Sequence, residues 1–483
     1  MRYTTPATQR VTVASHISGM RFSGPGEPPR PQLKDETLNE LANIANVAQF
    51  ISFGPTMDLP QRFSRVVGHE QNHRFATPAL AISALIRAAS SSSVNVRSFK
   101  AEAAKGGPFD YELRTTAEVL EILRQRASDG FYTIVNETID INDGGVSGVA
   151  LGGIIEFTPE DTPRGVEKSG VVALEKGAAL RLFEIVYGFT PELDYKPNER
   201  IEFSIHPLGQ GIRRSHTLVW EREQVGSTEL SSRLIWPNRF SRFIGDKAFG
   251  LLVAELMDLP IPATTVVSRK IAPFLLGQST GSAETWTRTC PVEPQPGRFL
   301  TQRGWVDPFA LLAEEDPDGV EIASILAQEG VVARYSGAAM PQSNGSGLLV
   351  EGVPGSGEAF MQGEASPSAL PDQIIRDVSE LAGRAASQIG PVRLEWVHDG
   401  ERAWIVQLHL APMSWGSDVI YPGEPARWRS FDPAEGLDRL RALITDALAS
   451  GEGIEVAGDV GITSHVGDLL RKAEVPSRFS ESR

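Results

Sequence analysis

Apolar and polar residues follow two different periods along this chain, one typical of helices and one typical of strands. Leucine, isoleucine and valine recur every three or four positions in residues 37–53 and again in Asp372–Ile389, which predicts amphipathic helices. Strict alternation in VNVRSF, Val94–Phe99, predicts a half-buried strand. In residues 391–412 the apolar runs RLEWV and AWIVQL flank a polar Asp399-Gly400 turn, which predicts a β-hairpin. Since strands and helices alternate over most of the chain, we expect an α/β (α+β) fold.

Breaks in this pattern divide the chain into four parts. With 483 residues the chain is long enough for several domains. The Gly/Pro-rich stretch GPGEPPRPQ indicates that residues 1–36 form an N-terminal arm or linker. We expect an α/β domain at residues 37–226, a second domain at residues 227–415 and a C-terminal helical segment at residues 416–483.

Composition and charge narrow the class of protein. The chain is 41% hydrophobic and 22% charged, which is typical of soluble globular proteins. A net charge of −15 makes nucleic acid and anionic membranes unlikely partners. Cys290 is the only cysteine, so neither an intrachain disulfide nor a cysteine-based metal site is expected. Neither a membrane-spanning run nor a signal peptide is expected, and we predict a cytoplasmic protein.

Two residues of the predicted hairpin are candidates for metal binding. Glu395 and Gln407 place oxygen-bearing side chains in otherwise apolar strands, where burial without a partner is costly. A carboxylate and an amide carbonyl suit Mg²⁺ beside a nucleotide phosphate; the alternative is that both simply face water. A two-residue Asp-Gly turn would put them on opposite faces, whereas a three- or five-residue loop, or a β-bulge, would put them on one face. The metal hypothesis requires the second arrangement.

A third candidate, Lys247, lies at the start of a predicted helix. It follows the Gly245-Asp246 turn. Free backbone N–H groups at a helix start, together with a lysine, suit a phosphate group.

Four segments of the C-terminal half resemble, in the same order, the nucleotide-binding domain of the pyruvate phosphate dikinase and phosphoenolpyruvate synthase family. They are GDKAFGLLVAELMDLPIPATTVV, ILAQEGVVARYSGAA, LLVEGVPGSGEAFMQG and PVRLEWVHDGERAWIVQLHLAP, within residues 245–412. The resemblance implies an ATP-grasp-like fold with mixed sheets and flanking helices. It also implies ATP and Mg²⁺ as cofactors.

The resemblance assigns roles to individual residues. Lys247 would contact ATP phosphates, and Glu395 and Gln407 would hold Mg²⁺. Glu358 and Arg303 would lie near the nucleotide, Arg303 as a catalytic residue. The chain departs from the family where FLTQRGW replaces an Arg-Ser-Ser segment and where His409 replaces an arginine near the end of the hairpin.

The N-terminal half contains similar strings in VNVRSF, IVNETIDINDGGVSGVA and RIEFSIHP. Either the chain holds two diverged copies of the domain, or one domain has its motifs rearranged. With two copies, Arg97 would be the equivalent of a phosphate-contacting arginine and Glu202 that of a metal carboxylate. Structural ion pairs at strand ends are the alternative for both residues.

The tail segment GITSHVGDLLRKAEVPS resembles the loop of the family's phosphohistidine swivelling domain. His465 would then be the catalytic nucleophile that carries phosphate, with Thr463 and Ser464 beside it at a helix N-terminus. The chain leaves little room for the first part of that domain and none for the family's phosphoenolpyruvate-binding barrel. We therefore do not expect the complete family reaction from this chain alone.

Three functions are compatible with these features. The first is an ATP- and Mg²⁺-dependent phosphotransferase of dikinase type, a kinase-like transferase acting on a histidine or an unidentified small-molecule acceptor. The second is a catalytically degenerate ATP-grasp-like protein that senses a nucleotide or acts as a scaffold with a protein partner. The third is an ATP-grasp ligase.

Overall fold

The computed structural model describes ten stretches of the chain. They are residues 32–101, 107–162, 170–226, 232, 234–293, 299, 301–342, 347–410, 419–458 and 460–480. Most of the predicted N-terminal arm and the end of the hairpin segment, residues 411 and 412, therefore lie outside the described residues. The chain divides into two compact units, Met1–Lys168 with Pro191–Ser232, and Ser169–Thr190 with Arg233–Arg483.

Unit 1 contains two antiparallel sheets with helices packed on the first. Its elements are α1 (Lys34–Ile44), β1 (Phe50–Phe53), β2 (Gln61–Arg65), α2 (Pro78–Ala88), β3 (Val94–Phe99), β4 (Phe109–Leu113), α3 (Thr116–Ser128), β5 (Tyr132–Glu137), β6 (Val146–Leu151), β7 (Ile154–Pro159), β9 (Glu199–Gln210) and β10 (Ser215–Gln224). The first sheet has the strand order β2-β1-β5-β3-β4, and the second runs β10-β9-β6-β7. Apolar residues of α2 and α3 pack with those of β1, β3 and β5 in one core.

Unit 2 contains two further antiparallel sheets and a small mixed sheet. Its elements are β8 (Val172–Glu175), α4 (Lys176–Tyr187), α5 (Arg239–Ile244), α6 (Asp246–Leu256), β11 (Thr264–Ser268), β12 (Phe274–Leu276), β13 (Thr285–Pro291), β14 (Gln302–Arg303), α7 (Pro308–Glu315), β15 (Ile322–Glu329), β16 (Tyr335–Pro341), β17 (Leu348–Pro354), α8 (Glu358–Gln362), α9 (Asp372–Ile389), β18 (Val392–His398), β19 (Ala403–Leu410), β20 (Val419–Tyr421), β21 (Trp428–Phe431), α10 (Gly436–Ser450), β22 (Gly453–Val456), α11 (His465–Lys472) and β23 (Ser477–Phe479). The strand orders are β12-β11-β15-β13-β14, β17-β16-β18-β19 and β20-β23-β22-β21. The predicted α/β class with flanking helices is confirmed, but the sheets are mostly antiparallel: among the described strands, parallel pairing occurs in the small sheet β20-β23-β22-β21.

The two units repeat the same topology. In unit 1 strand β5 lies between β1 and β3, and in unit 2 strand β15 lies between β11 and β13. The second sheet of each unit ends in an antiparallel hairpin, β9 and β10 in unit 1 and β18 and β19 in unit 2. The register also agrees: Val149 on β6 pairs with Glu202 on β9, and Ala338 on β16 pairs with Glu395 on β18. The expectation of two diverged copies is therefore met at the level of strand order and register.

Local sequence explains where α2 begins. Thr77 caps α2 by accepting a hydrogen bond from the backbone N–H of Leu80, and Pro78 follows at the first helical position. One prediction is wrong: the helix expected over residues 37–53 ends at Ile44, and the end of that stretch forms β1. The reason is tertiary, because all four residues of β1 are buried within the sheet.

No helix among the described residues combines the length and the apolar character that crossing a membrane requires.

Candidate functional site

The hairpin of β18 and β19 places Glu395 and Gln407 side by side. The strands close at His398 and Ala403, so the connection spans residues 399–402 instead of two residues. A β-bulge next to Glu395 shifts the register, and Glu395 pairs directly with Gln407. Directly opposed residues of antiparallel strands project to the same face. The arrangement that the metal hypothesis requires is therefore present.

Arg288, on β13 of the neighbouring sheet, binds both of these side chains. Its Nη2 atom lies 3.3 Å from Glu395 Oε2 and 3.2 Å from Gln407 Oε1. Its Nη1 atom donates to the backbone carbonyl of Val406 at 2.8 Å. Burial opposes ionisation of Glu395, but Arg288 and other nearby cations outweigh it and hold the pKa of the carboxyl below its usual range. Glu395 is therefore a carboxylate at neutral pH.

Lys247 reaches the same cluster from the first turn of α6. Its Nζ atom donates to the backbone carbonyl of Thr289 at 3.0 Å. Burial is the main cause that lowers the pKa of Lys247, and the charge of Arg288 lowers it further while that of Glu395 raises it. The helix start is set by Gly245, whose φ of 90° is in the region that favours glycine.

His465 also interacts electrostatically with Glu395, although it lies 70 residues further along the chain. It is the first residue of α11, and Ser464 is the N-cap. Burial lowers the pKa of the His465 imidazole more than Glu395 raises it, so the ring is neutral at physiological pH. A neutral imidazole next to a carboxylate and a lysine has the protonation state that a nucleophile requires.

Basic side chains are numerous around this cluster. The groups that act on one another electrostatically include the basic residues Lys247, Arg288, Arg393, Arg471 and Lys472 and the carboxylates Glu351, Glu395 and Asp468. Basic side chains in such a site suit an anion such as phosphate.

Buried polar atoms without a hydrogen-bond partner also indicate that the cluster suits a charged ligand. Within the described ranges, Glu395 Oε1, Arg288 Nε, Arg393 Nε and Ser464 Oγ are buried and accept or donate no hydrogen bond. An oxygen acceptor suits a cation, whereas N–H and O–H donors suit phosphate oxygens. In the same part of the chain no group of three or more histidine, cysteine, aspartate or glutamate side chains could hold a metal ion alone. The oxygen atoms present therefore fit Mg²⁺ held jointly by the Glu395 carboxylate, the Gln407 amide and phosphate oxygens.

The other predicted site residues lie elsewhere or in other contacts. The Arg303 side chain is 74% exposed and forms an ion pair with Glu284, and Glu358 is exposed in the first turn of α8. In unit 1, Arg97 lies on β3 and Glu202 on β9, where Glu202 Oε1 is 2.8 Å from Arg200 Nη2. Roles for these residues stay predictions.

Sequence reasoning did not assign a role to Arg288, the arginine that contacts Glu395 and Gln407. Its strand position offered a signal. Arg288 pairs with Leu326 on β15 as Arg97 pairs with Ile134 on β5, so both arginines occupy the same place in the repeated sheet.

A cavity of about 570 Å³ opens on the other face of the sheet that carries Arg288. Thr265, Ala327 and Glu329 line it. Because neighbouring strand residues point to opposite faces, and Arg288 pairs with Leu326, this cavity is separate from the charged cluster.

No protein-family model matches this chain, and no curated protein does. Among solved structures, a D-alanine-D-alanine ligase from Helicobacter pylori is similar at a TM-score of 0.24 and 8% identity, over 36% of this chain and 53% of that one. An L-amino acid ligase from Bacillus licheniformis gives a TM-score of 0.24 and 14% identity, over 35% and 41%. A RimK domain protein, ATP-grasp, from Sphaerobacter thermophilus gives 0.22 and 15%, over 35% and 58%.

The chain thus spans about half the length of these structures. At TM-scores this low, function has to be inferred from the side chains themselves.

Proposed function

We propose that unit 2 is an ATP-grasp-like enzyme that binds ATP with Mg²⁺ and transfers a phosphoryl group. The observation that supports this proposal is the convergence of Lys247, Arg288, Glu395, Gln407 and His465, from five separate elements, on one cluster rich in basic side chains. Phosphoryl transfer depends mainly on positioning and on neutralising phosphate charge, which is what such a cluster can supply.

Each residue has a defined part in this proposal. Glu395 and Gln407 would hold Mg²⁺, and the ion would supply neutralisation of phosphate charge. Lys247 and Arg288 face the phosphate oxygens as cationic donors. Arg288 already contacts Glu395 and Gln407, so it positions the two ligands as well as the phosphate.

The acceptor that the geometry favours is His465, which makes the reaction dikinase-like. A ring nitrogen lone pair forms a bond to phosphorus, the bridging P–O bond breaks, and its electron pair stays on the departing nucleotide phosphate. The ring is neutral and interacts with Glu395, and the N-terminus of α11 with the unpartnered Ser464 hydroxyl suits the transferred phosphate.

An ATP-grasp ligase is the second candidate, because the matched structures include ligases by name. In such an enzyme the same cations would face an acyl phosphate. It requires a carboxylic acid and an amine as substrates, and ADP release would depend on both.

The decisive experiment is incubation with β- and γ-labelled ATP and Mg²⁺, followed by mapping of acid-labile phosphate. Label on His465, absent in His465→Asn, is the expected result. ADP release that requires an acid and an amine would establish the ligase instead. Binding in isothermal titration without any turnover would identify a nucleotide sensor or scaffold. Absence of Mg²⁺-dependent ATP binding would overturn the proposal.

A further inference from the structure

The turn that precedes His465 is held by charged side chains from outside its own segment. Glu351 on β17 accepts two hydrogen bonds at its Oε2 atom, from the backbone N–H and the hydroxyl of Thr463, each 2.8 Å long. Arg393 on β18 donates from Nη2 to the carbonyl oxygen of Thr463 at 2.9 Å. The backbone N–H, the hydroxyl and the backbone carbonyl of Thr463 are therefore all hydrogen-bonded to these two side chains.

Arg393 makes a second contact with the segment that contains His465. Its Nη1 atom lies 3.3 Å from Asp468 Oδ1, in the first turn of α11. Arg393 thus spans both sides of His465, from Thr463 before it to Asp468 after it. Rotation or sliding of the histidine relative to β18 would break both contacts.

The two charged side chains that hold the Thr463 turn are buried. Glu351 is 7% exposed and Arg393 is 6% exposed. Well-packed apolar side chains generally stabilise a fold as much as a buried ionic group does, so buried ionic groups such as these indicate a need for one defined arrangement.

The arrangement in question is the register of His465 against the phosphate-facing cluster. Residues two apart on a strand share a face, so Arg393 and Glu395 project from the same side of β18. Arg393 holds the Thr463 turn on that side, and Glu395 interacts electrostatically with His465, two residues after Thr463. Strand β18 therefore fixes the position of the Thr463 turn, and with it His465, relative to Glu395.

We propose that Glu351 and Arg393 are positioning residues, which hold the Thr463 turn so that His465 is in line for phosphoryl transfer. This inference rests on the proposed function, because it requires His465 to be the acceptor. Glu351 need not touch the nucleotide to have this effect. A displacement of about 1 Å at a reacting group can cost about 100-fold in rate, so loosening the turn is expected to slow transfer strongly.

The test compares Glu351→Gln and Arg393→Lys with the native chain. At saturating ATP and Mg²⁺, the single-turnover rate of His465 labelling should fall at least about 10-fold. In Glu351→Gln the Kd for ATP with Mg²⁺ should stay within about 3-fold, because Glu351 is not among the residues assigned to Mg²⁺ or to the phosphate groups. A purely structural defect would lower the labelling rate and raise the Kd together.

Glu452→Gln is the matched control. Glu452 forms an ion pair with Arg429 in the same C-terminal segment but does not contact the Thr463 turn, so its labelling rate should equal that of the native chain. If Glu351→Gln does not fold, Thr463→Val removes the hydroxyl contact to Glu351 and carries the test.

Native labelling rates in Glu351→Gln and Arg393→Lys would overturn the positioning role while leaving the proposed function intact. Failure of the native chain to label at His465 would instead remove the phosphohistidine function itself. The two failures are therefore distinguishable.

Discussion

Glu202 and Glu395 occupy the same position in two sheets of the same strand order, yet each faces a different residue across its hairpin. Glu395 pairs with Gln407, whereas Glu202 pairs with Glu221. Both hairpins carry a β-bulge next to this pair. In unit 1 the ion pair of Glu202 with Arg200 already compensates one of the two carboxylates. The repeated fold therefore presents an amide and a carboxylate in one unit and two carboxylates in the other.

This difference predicts that unit 2 carries the nucleotide. Glu395→Gln should abolish Mg²⁺-dependent ATP binding, because it removes the only carboxylate of the Glu395–Gln407 pair. The matched variant Glu202→Gln should keep the native Kd within about twofold, since the proposed nucleotide site is in unit 2 and Glu202 is in unit 1. Isothermal titration with and without Mg²⁺ measures both. Equal losses in the two variants would show that both copies bind the nucleotide.

Arg288 should matter far more than Arg303. Arg288→Met leaves Glu395 buried without its cation, which is expected to cost about 3–5 kcal/mol of unfolding free energy and to eliminate ATP binding. Arg303 is exposed, so Arg303→Met should change stability by less than about 1 kcal/mol and leave binding unaltered. Urea unfolding and titration calorimetry test both variants. A loss of binding in Arg303→Met alone would restore the role that the resemblance gives to Arg303.

How much could be predicted from sequence depends on the range of the interactions involved. The helix that starts near Lys247 and the hairpin that carries Glu395 follow from local periodicity, and the structure contains both. The β-bulge that aligns Glu395 with Gln407 depends on pairing across strands, which a linear pattern does not encode. Arg288 meets Glu395 across a sequence separation of 107 residues, so no local motif could reveal the contact.

The helix expected over residues 37–53 shows the opposite failure. Its spacing was helical, but the final residues are buried as β1 between β2 and β5. Burial in a sheet outweighed local preference there. The sequence also did not predict where the C-terminal segment packs. Nothing in the spacing of GITSHVGDLL indicates that His465 interacts with Glu395.

Two glycines should respond in opposite directions to the same substitution. At Gly245 the φ is 90°, and an added Cβ would lie 2.5 Å from Cys290 Cβ. Gly245→Ala should therefore lower the unfolding free energy by more than about 1 kcal/mol and displace Lys247. At Gly383, within α9, an added Cβ meets nothing within 4 Å. Gly383→Ala should raise stability by about 0.5–1 kcal/mol. Denaturant unfolding of both variants is the measurement, and a stabilised Gly245→Ala would contradict the strained turn.

Acid should destabilise unit 2 through His409 before most carboxylates titrate. Burial, and then the charges of Arg393 and Lys472, lower the pKa of His409 to about 3. Its Nε2 atom lies 2.5 Å from Gln407 Nε2.

The unfolded chain, with an ordinary histidine pKa of about 6.5, binds this proton more readily than the folded chain does. The stability that the neutral ring contributes is therefore fully present above pH 6.5 and is lost as pH falls toward 3, by up to about 1.4 kcal/mol per pH unit. His465, whose pKa is also lowered by burial, adds to the loss in the same direction. His409→Gln should flatten the slope of unfolding free energy against pH between about 4.5 and 6.5 by up to this amount. Urea titrations at several pH values measure the slope; an unchanged slope would mean that His409 is protonated as readily in the folded chain as in the unfolded one.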